Sequence, residues 1–214
     1  MASAVKIWGR TAMIRNIVFD MGQVLTGFDP NEIIHAFFDH EADIPLIRKE
    51  IFESSLWQDL DRGTLTEQDL IPIVKERLPQ RFHSGAEQLL LHWREHMIQL
   101  HAVPQLAIEL KKAGYPLYLL SNAGKSMFEF KEKLPVLREF SGILFSAEVL
   151  LLKPDPKIYQ AFFERFSLKP EECFFIDDMS ANIEAGRSLG MEGFRYTGEI
   201  EPLRAALRCA GVNI

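Results

Sequence analysis

Six polar side chains at four places in the chain could together handle an anionic group. They comprise three carboxylates, a hydroxyl, an amide and an ammonium group: Asp20, Ser121, Asn122, Lys153, Asp177 and Asp178. Carboxylates are hard oxygen ligands that suit Mg²⁺, and an ammonium group supplies a fixed positive charge for an anion. Taken singly, each of these residue types is common in a turn or at the start of a helix. Their succession along the chain predicts one site instead of four unrelated turns.

The elements that must position these residues are short buried strands. Apolar runs typical of strands occur at 13–20, 115–120, 143–145, 173–176 and, more weakly, 193–196. Helical stretches alternate with these runs, and this order predicts an α/β fold with a parallel sheet covered on both faces. The polar residues follow the carboxyl ends of the strands or open the next helix. In such a sheet those ends line the ligand crevice.

Between residues 29 and 100 the apolar pattern changes to helical spacing, and no clear strand is expected there. Ile33, Ile34, Phe37 and Phe38 illustrate this spacing. Asp29 is expected to cap the first helix ahead of a proline, and Thr66 is expected to cap a later one. The predicted organisation is a discontinuous core, 13–28 and 101–214, a helical insertion, 29–100, and an N-terminal tail, 1–12.

Composition and charge limit the classes of function. The 214 residues are 47% apolar and carry a net charge of −6, which gives no general attraction for nucleic acid or for an anionic membrane. Two cysteines without metal-binding spacing make a disulfide framework implausible and favour a reducing cytoplasm. No apolar run is long enough for a membrane span, and 1–12 lack the apolar region of a signal peptide.

Four motifs resemble those of the haloacid dehalogenase superfamily, hydrolases with an aspartate nucleophile. The first, an apolar strand followed by aspartate, is similar to IVFDMGQVL at 17–25, and the second to LLSN at 119–122. The third motif contains a lysine and is similar to LKPDP with Lys153. The fourth contains an acidic pair and is similar to FIDD at 175–178, with Asn182 shortly after. The resemblance extends from about residue 14 to residue 191.

The resemblance implies a Rossmann-like core and identifies the insertion at 29–100 as similar to the family's α-helical C1 cap. The form Asp-x-Gly-x-Val-Leu with an acidic pair in the fourth motif most resembles the sugar-phosphate phosphatase branch, which includes glucose-1-phosphate phosphatases. The expected partner is therefore a small phosphate ester.

A phosphate substrate would need positive charge here, because a carboxylate about 4 Å from a dianion meets repulsion of roughly 8 kcal/mol at an effective dielectric of about 20. We expect Asp20 and Asp178 to bind Mg²⁺, and Lys153 to add a fixed charge. Asp20 would then attack phosphorus and form an aspartyl-phosphate that water hydrolyses.

The remaining residues of the motifs are expected to bind or orient. Ser121, Asn122 and Lys153 are expected to bind phosphate, together with main-chain N–H groups in the loops. Asp177 is expected to stand behind the ligands with Asn182, orienting Lys153 or a water molecule on the metal.

Gly22 is a departure from the family pattern. Phosphatases of the superfamily usually carry a second aspartate here as general acid/base, and losing such a group costs about 10² to 10⁴ in rate. The family also uses the main-chain carbonyl at this position as a metal ligand, and glycine keeps that carbonyl. A cap residue, a metal-bound water or the leaving group itself could substitute; Asp29 is the nearest carboxylate in sequence. A smaller departure is Leu150, where relatives commonly have glycine.

Substrate selection is expected to fall to the cap. Trp57, Asp61 and Arg62 lie in a turn-rich stretch that could present a ring and polar groups to a sugar. The alternative is that Trp57 packs in the cap core and that 61–63 is only a turn.

Three classes of function stay open. The first is a Mg²⁺-dependent phosphatase acting on a small phosphorylated metabolite, with a sugar phosphate as a candidate. The second is a 2-haloacid dehalogenase, in which the same nucleophile displaces halide without metal. The third is a weakly active metal- and phosphate-binding regulatory module, which only Gly22 makes credible.

Overall fold

Five parallel strands form the central sheet in a computed structural model that describes residues 13–214. The strands in chain order are β1 (Asn16–Phe19), β2 (Thr26–Gly27), β3 (Ile98–Gln99), β4 (Leu117–Ser121), β5 (Gly142–Phe145), β6 (Cys173–Asp177) and β7 (Glu192–Arg195). The sheet order is β5, β4, β1, β6, β7, and all its pairings are parallel. The predicted α/β fold is confirmed. The predicted tail, 1–12, lies outside the described residues.

Helices flank the strands and fill the region between β2 and β3. In chain order they are α1 (Pro30–His35), α2 (Ile44–Ile51), α3 (Ser55–Arg62), α4 (Glu67–Arg77), α5 (His83–His92), α6 (Ala102–Lys112), α7 (Met127–Phe130), α8 (Ser146–Val149), α9 (Pro156–Phe166), α10 (Ser180–Ser188) and α11 (Ile200–Cys209). None of these helices is long and apolar enough to span a bilayer.

Both faces of the sheet are buried, because successive strand residues point to opposite sides. In β1, Ile17 and Phe19 belong to one apolar cluster, which also includes buried residues of α6 and α11. Val18 belongs to a second cluster with residues of α9 and α10. These two clusters fix the sheet between helical layers, so the carboxyl ends of the strands are held at one edge.

The order of the strands reverses beside β1, because the chain first builds β4 and β5 on one side and then β6 and β7 on the other. A doubly wound sheet binds its ligand at such a reversal, where the two connections leave the sheet in opposite directions. Asp20 follows β1, and Asp177 ends β6. The topology therefore places both carboxylates at the same crevice.

The helix starts predicted for the insertion are confirmed. The Asp29 side chain accepts a hydrogen bond from the Asn31 N–H at 2.8 Å at the start of α1. Thr66 and Asp69 form a reciprocal capping box at the start of α4. Asp29 is thus occupied as a helix cap.

The expected absence of strands up to residue 100 is wrong at its end. β3 pairs antiparallel with β2, and the Thr26 hydroxyl donates to the Ile98 carbonyl at 3.1 Å. Two residues are too short for apolar alternation to show in the sequence. The pairing brings the two ends of the helical insertion side by side.

The turn expected at 57–63 is also wrong, because most of this stretch is the helix α3. Gly63 ends the helix with a φ of 81°, a left-handed conformation that favours glycine. A Cβ at this position would also lie 2.7 Å from the Ala147 Cβ. Glycine therefore lets the end of α3 pack closely on α8.

Candidate active site

A cavity of about 440 Å³ opens where the strand ends meet the helical insertion. Its polar lining comes mainly from the predicted motifs: Asp20, Ser121, Asn122, Lys153, Asp178 and Asn182. Facing residues come largely from the insertion and its flanks: Phe28, Trp57, Asp61, Trp93 and Met97. A larger cavity of about 680 Å³ lies at the amino ends of β1 and β4, but it has none of the motif residues. The chemistry therefore assigns the smaller cavity as the candidate site.

Lys153 joins two of the carboxylates beneath this cavity. Its buried Nζ lies 2.8 Å from Asp20 Oδ1 and 2.6 Å from Asp177 Oδ2. Burial favours the neutral amine, but the charges and hydrogen bonds of Asp20 and Asp177 outweigh burial and raise the pKa of Lys153. The ammonium group therefore stays charged at neutral pH and can neutralise an anion bound at Asp20.

Asp177 is held by the protein on both of its oxygens. Oδ1 accepts from the Met179 N–H at 2.8 Å, and Asn182 Nδ2 donates to both oxygens at 3.0 Å. Oδ2 also accepts from Lys153. Asp177 is fully buried, so its contacts suit a group that orients Lys153, with Asn182 orienting Asp177 in turn.

Three carboxylates crowd together at the strand ends. One oxygen from each of Asp20, Asp177 and Asp178 lies within 4.8 Å of the others. Burial and the negative charges of Asp20 and Asp177 raise the pKa of Asp178 to about 6. Burial also raises the pKa of Asp20, against the opposing effect of Lys153. One ammonium group does not balance the charge of three carboxylates, so the cluster favours a further cation.

The last residue of β4, Ser121, and the residue that follows it, Asn122, have different roles in the structure. Ser121 is buried and lines the cavity. The Asn122 side chain accepts from the Lys153 N–H at 2.8 Å and donates to the Lys153 carbonyl at 3.0 Å. It thereby fixes the loop that carries Lys153, so a phosphate contact from Asn122 would have to come from its main chain.

Gly22 borders the cavity next to Asp20. A Cβ placed on Gly22 would have no other atom within 4 Å. Space and backbone geometry therefore do not require glycine, and the position could accept a side chain. The backbone carbonyl is kept whichever residue stands there.

Aromatic rings line the side of the cavity away from the strands. The Trp57 ring centroid lies 4.5 Å from that of Phe52, 5.2 Å from that of Trp93 and 5.7 Å from that of Phe28. Trp57 is 9% exposed, so it both packs in the insertion and borders the cavity. Sequence reasoning missed Phe28 and Trp93 as lining residues.

Asp61 and Arg62, neighbours at the end of α3, have different surroundings. Asp61 borders the cavity, whereas Arg62 pairs with Asp59 at 3.0 Å and is not among the described residues that line it. Burial, followed by the negative charges of Asp20 and Glu67, raises the pKa of Asp61 well above its ordinary value. Arg62 is therefore poorly placed for the substrate contact expected from the sequence.

Comparison with known proteins agrees with this geometry. The family model of the haloacid dehalogenase-like hydrolases matches residues 14–190. D-ribitol-5-phosphate phosphatase from Bacteroides thetaiotaomicron is 25% identical and covers 86% of this chain and 92% of its own. Sesquiterpene phosphatase from Aspergillus oryzae is 24% identical, with coverages of 86% and 90%. Two longer curated relatives match over only 34% and 21% of their length.

Solved structures share the fold. A haloacid dehalogenase (HAD) family enzyme from Bacteroides thetaiotaomicron, solved with magnesium and inorganic phosphate, superposes with a TM-score of 0.69 at 22% identity. The match covers 86% of this chain and 95% of that one. The fold is therefore common to both proteins along nearly their whole length.

Proposed function

The chain belongs to the haloacid dehalogenase-like hydrolases, and we propose that it is a Mg²⁺-dependent phosphatase that hydrolyses a small phosphorylated metabolite through an aspartyl-phosphate on Asp20. The carboxylate cluster of Asp20, Asp177 and Asp178 carries this proposal. Three carboxylates with one ammonium group leave a net negative site, which repels an anionic substrate unless a divalent cation is also bound.

The donor set fits Mg²⁺. Asp20 and Asp178 would hold the ion with their carboxylates, and Gly22 with its main-chain carbonyl, because Mg²⁺ prefers oxygen ligands and few protein carboxylates. Asp177 already bonds to Lys153, Asn182 and the main chain, so we assign it to orientation. When bound, the ion offsets the charge between Asp20 and the substrate and polarises the phosphoryl group. A Bacteroides protein of the same fold was solved with magnesium and inorganic phosphate, which supports magnesium as the cofactor.

The residues of the chain then perform two displacements. Asp20 attacks phosphorus, and the bond from phosphorus to the alcohol oxygen breaks. Lys153, the Ser121 hydroxyl and loop N–H groups hold the phosphoryl oxygens. Water next attacks phosphorus, the bond from phosphorus to Asp20 breaks, and phosphate leaves. Positioning and charge supply most of the catalysis in such a transfer.

We further propose that 29–100 is a cap on a core made of 13–28 and 101–214. The β2–β3 pairing at the base of the insertion and the aromatic lining that it contributes support this division. Trp57 and Asp61 border the cavity on the cap side and would select the leaving group. A sugar phosphate stays a candidate substrate, since D-ribitol-5-phosphate phosphatase is a relative.

One observation favours a second function, haloacid dehalogenation. Gly22 removes the aspartate that phosphatases use, and a dehalogenase would need neither that group nor a metal. The acidic pair Asp177 and Asp178 supports the phosphatase, because the cavity carries more negative charge than a metal-free reaction on an anionic haloacid would favour.

The test measures phosphate release from a panel of phosphate monoesters, including D-ribitol 5-phosphate and p-nitrophenyl phosphate, with Mg²⁺ and with a chelator. We expect release that requires Mg²⁺ and that Asp20→Asn abolishes while the protein stays folded. Metal-independent chloride release from 2-chloropropionate, without phosphate release, would instead establish the dehalogenase.

A further inference from the structure

Gly22 leaves both half-reactions without the carboxyl group that would move protons at this position. We propose that Asp61, at the end of α3, protonates the leaving alcohol oxygen and then accepts a proton from the attacking water. The inference rests on the proposed phosphatase function and adds a catalytic residue to it.

Asp61 belongs to the helical insertion and lies where the end of α3 meets the loop after β4 and the start of α8. It borders the same cavity as Asp20 and Gly22, and the rings of Phe28, Trp57 and Trp93 line that cavity as well. A leaving group attached to a phosphoryl group at Asp20 must extend toward the insertion, because the strand ends close the other side of the cavity. The Asp61 carboxyl group is thus on the leaving-group side.

The last turn of α3 is fixed to the core, which holds Asp61 in place. The Ser146 hydroxyl donates to the Asp61 carbonyl and accepts from the Ala123 N–H at 2.8 Å. A Cβ on Gly124 would lie 2.9 Å from the Leu60 carbonyl oxygen, so the loop after β4 contacts α3 directly. That loop follows Ser121 and Asn122, which ties Asp61 to the same frame as the phosphate-binding residues.

The charges near Asp61 favour its neutral form. Among the described residues, Asp61 takes part in no ion pair: Arg62 pairs with Asp59 at 3.0 Å, and Arg94 pairs with Glu67 at 2.6 Å. Burial and the charges of Asp20 and Glu67 raise its pKa. A protonated carboxyl group can give up its proton, and the resulting carboxylate can take one back, as general acid/base catalysis requires.

The proton balance closes over one turnover. Asp20 forms its bond to phosphorus while the bond from phosphorus to the alcohol oxygen breaks, and Asp61 gives that oxygen its proton. Water then gives a proton to the Asp61 carboxylate, and its oxygen bonds to phosphorus as the bond to Asp20 breaks. One water is consumed, one alcohol and one phosphate are released, and Asp61 is again protonated.

The test uses Asp61→Asn, which keeps the shape of the side chain but cannot transfer this proton. The probes are para-substituted phenyl phosphates from p-nitrophenyl to p-methoxyphenyl phosphate, which differ little in size but increasingly need leaving-group protonation. We expect kcat/KM for p-methoxyphenyl phosphate to fall about 10² to 10³-fold and that for p-nitrophenyl phosphate much less. Phosphorylated protein should also accumulate with p-nitrophenyl phosphate, as seen by intact-mass spectrometry.

Asp59→Asn is the matched control, since Asp59 lies on the same helix but pairs with Arg62. In this variant, kcat/KM should depend on the leaving group in the same way as in the unsubstituted chain. An Asp61→Asn variant with the same dependence and no accumulated phosphoprotein would overturn the inference, while phosphate release by the unsubstituted chain would still support the phosphatase function.

Gly22→Asp provides a second measurement that needs no change at Asp61. If Asp61 already supplies the proton, this variant changes kcat/KM for p-methoxyphenyl phosphate less than about tenfold, and in the Asp61→Asn background it restores much of the lost rate. A gain of about 10²-fold or more in the otherwise unsubstituted chain would show that no proton donor is present and would contradict the role of Asp61. Absence of phosphate release from every probe would instead reject the phosphatase function.

Discussion

The two sides of the cavity are built on different principles. At the strand ends, Lys153, Asp20, Asp177 and Asn182 form a network of ion pairs and hydrogen bonds, all buried. On the side of the proposed cap, here called the cap side, packed rings such as Phe28, Trp57 and Trp93 line the cavity, and Asp61 adds a carboxyl group.

The difference separates chemistry from selection. The topology of the sheet places the charged residues at the strand ends, where they suit any phosphoryl group. The packing of the helices places the rings, which would contact the leaving group attached to that phosphoryl group. We expect changes at the strand ends to alter stability, metal binding and kcat together. Changes to the aromatic rings on the cap side should alter KM and substrate preference, whereas a change of Asp61 should alter the proton transfers.

Replacing Lys153 tests the charged side with the largest expected effect. Lys153→Met leaves the buried carboxylates of Asp20 and Asp177 without their cation, which should lower the free energy of unfolding by about 3–5 kcal/mol and abolish turnover. Because the pKa of Lys153 is raised, its charge contributes fully at neutral pH and is lost only at pH values above the ordinary lysine pKa. Urea denaturation at neutral pH measures the loss.

Lys169→Met is the control for that experiment, since Lys169 is largely exposed and forms a single long ion pair, 3.8 Å from Glu172. It should change stability by less than about 1 kcal/mol. A similarly small effect for Lys153→Met would show that the network at the strand ends does not depend on the ammonium group.

Magnesium binding should depend on pH through Asp178. Its carboxyl pKa is raised to about 6, so protonation stabilises the metal-free protein at low pH, and this contribution is lost as pH rises through about 6. Mg²⁺ must displace the proton below that pH, so its affinity should fall up to about tenfold per pH unit there and level off above. Calorimetric titration with Mg²⁺ alone measures this dependence.

Asp178→Asn should weaken Mg²⁺ binding at neutral pH and flatten its pH profile. Affinity that stays constant from about pH 5 to about pH 8 in the unsubstituted chain would contradict Asp178 as a ligand.

Trp57→Phe tests the cap side with a smaller effect. Phenylalanine keeps part of the ring packing against Phe52 and Trp93 but reshapes the wall of the cavity. We expect KM to change by up to about tenfold, differently for small and bulky phosphate esters, with kcat on p-nitrophenyl phosphate nearly unchanged. A fall in kcat alone would mean that the two sides are not separable.

The smallest predicted effect lies in the loop that leads to Lys153. Leu150 is half exposed and has a φ of 58°, a conformation that costs a residue with a Cβ about 1–2 kcal/mol. Leu150→Gly should relieve this strain but add chain entropy, a net gain of about 1 kcal/mol or less. Leu150→Ala keeps the Cβ and should give no gain in thermal denaturation; destabilisation by Leu150→Gly would show that the leucine side chain contributes more than its strain costs.

The sequence predicts the charged side of the cavity better than the cap side. Buried parallel strands appear as continuous apolar runs, so the ends of β1, β4 and β6, and the side chains that follow them, can be located from the sequence. The direction of a side chain is harder to predict. The Asn122 side chain hydrogen-bonds the Lys153 main chain, which is 31 positions away in the sequence.

The cap side depends on how helices pack, which local patterns do not determine. Polar residues and a glycine at 59–63 suggest a turn, although the spacing of Leu56, Trp57 and Leu60 on the buried side of α3 was the available helical signal. Asp61 and Arg62 are neighbours in sequence, but the helix directs one to the cavity and the other to Asp59. Only the three-dimensional arrangement separates their roles.

The proposed mechanism requires that Asp20 becomes phosphorylated during turnover. The direct measurement is rapid acid quenching of the reaction with p-nitrophenyl phosphate and Mg²⁺, followed by mass spectrometry of the proteolytic peptides. We expect one phosphoryl group on Asp20 that forms and decays as fast as turnover and that is absent from Asp20→Asn. Steady phosphate release with no phosphorylated Asp20, or with the phosphoryl group on another residue, would contradict it.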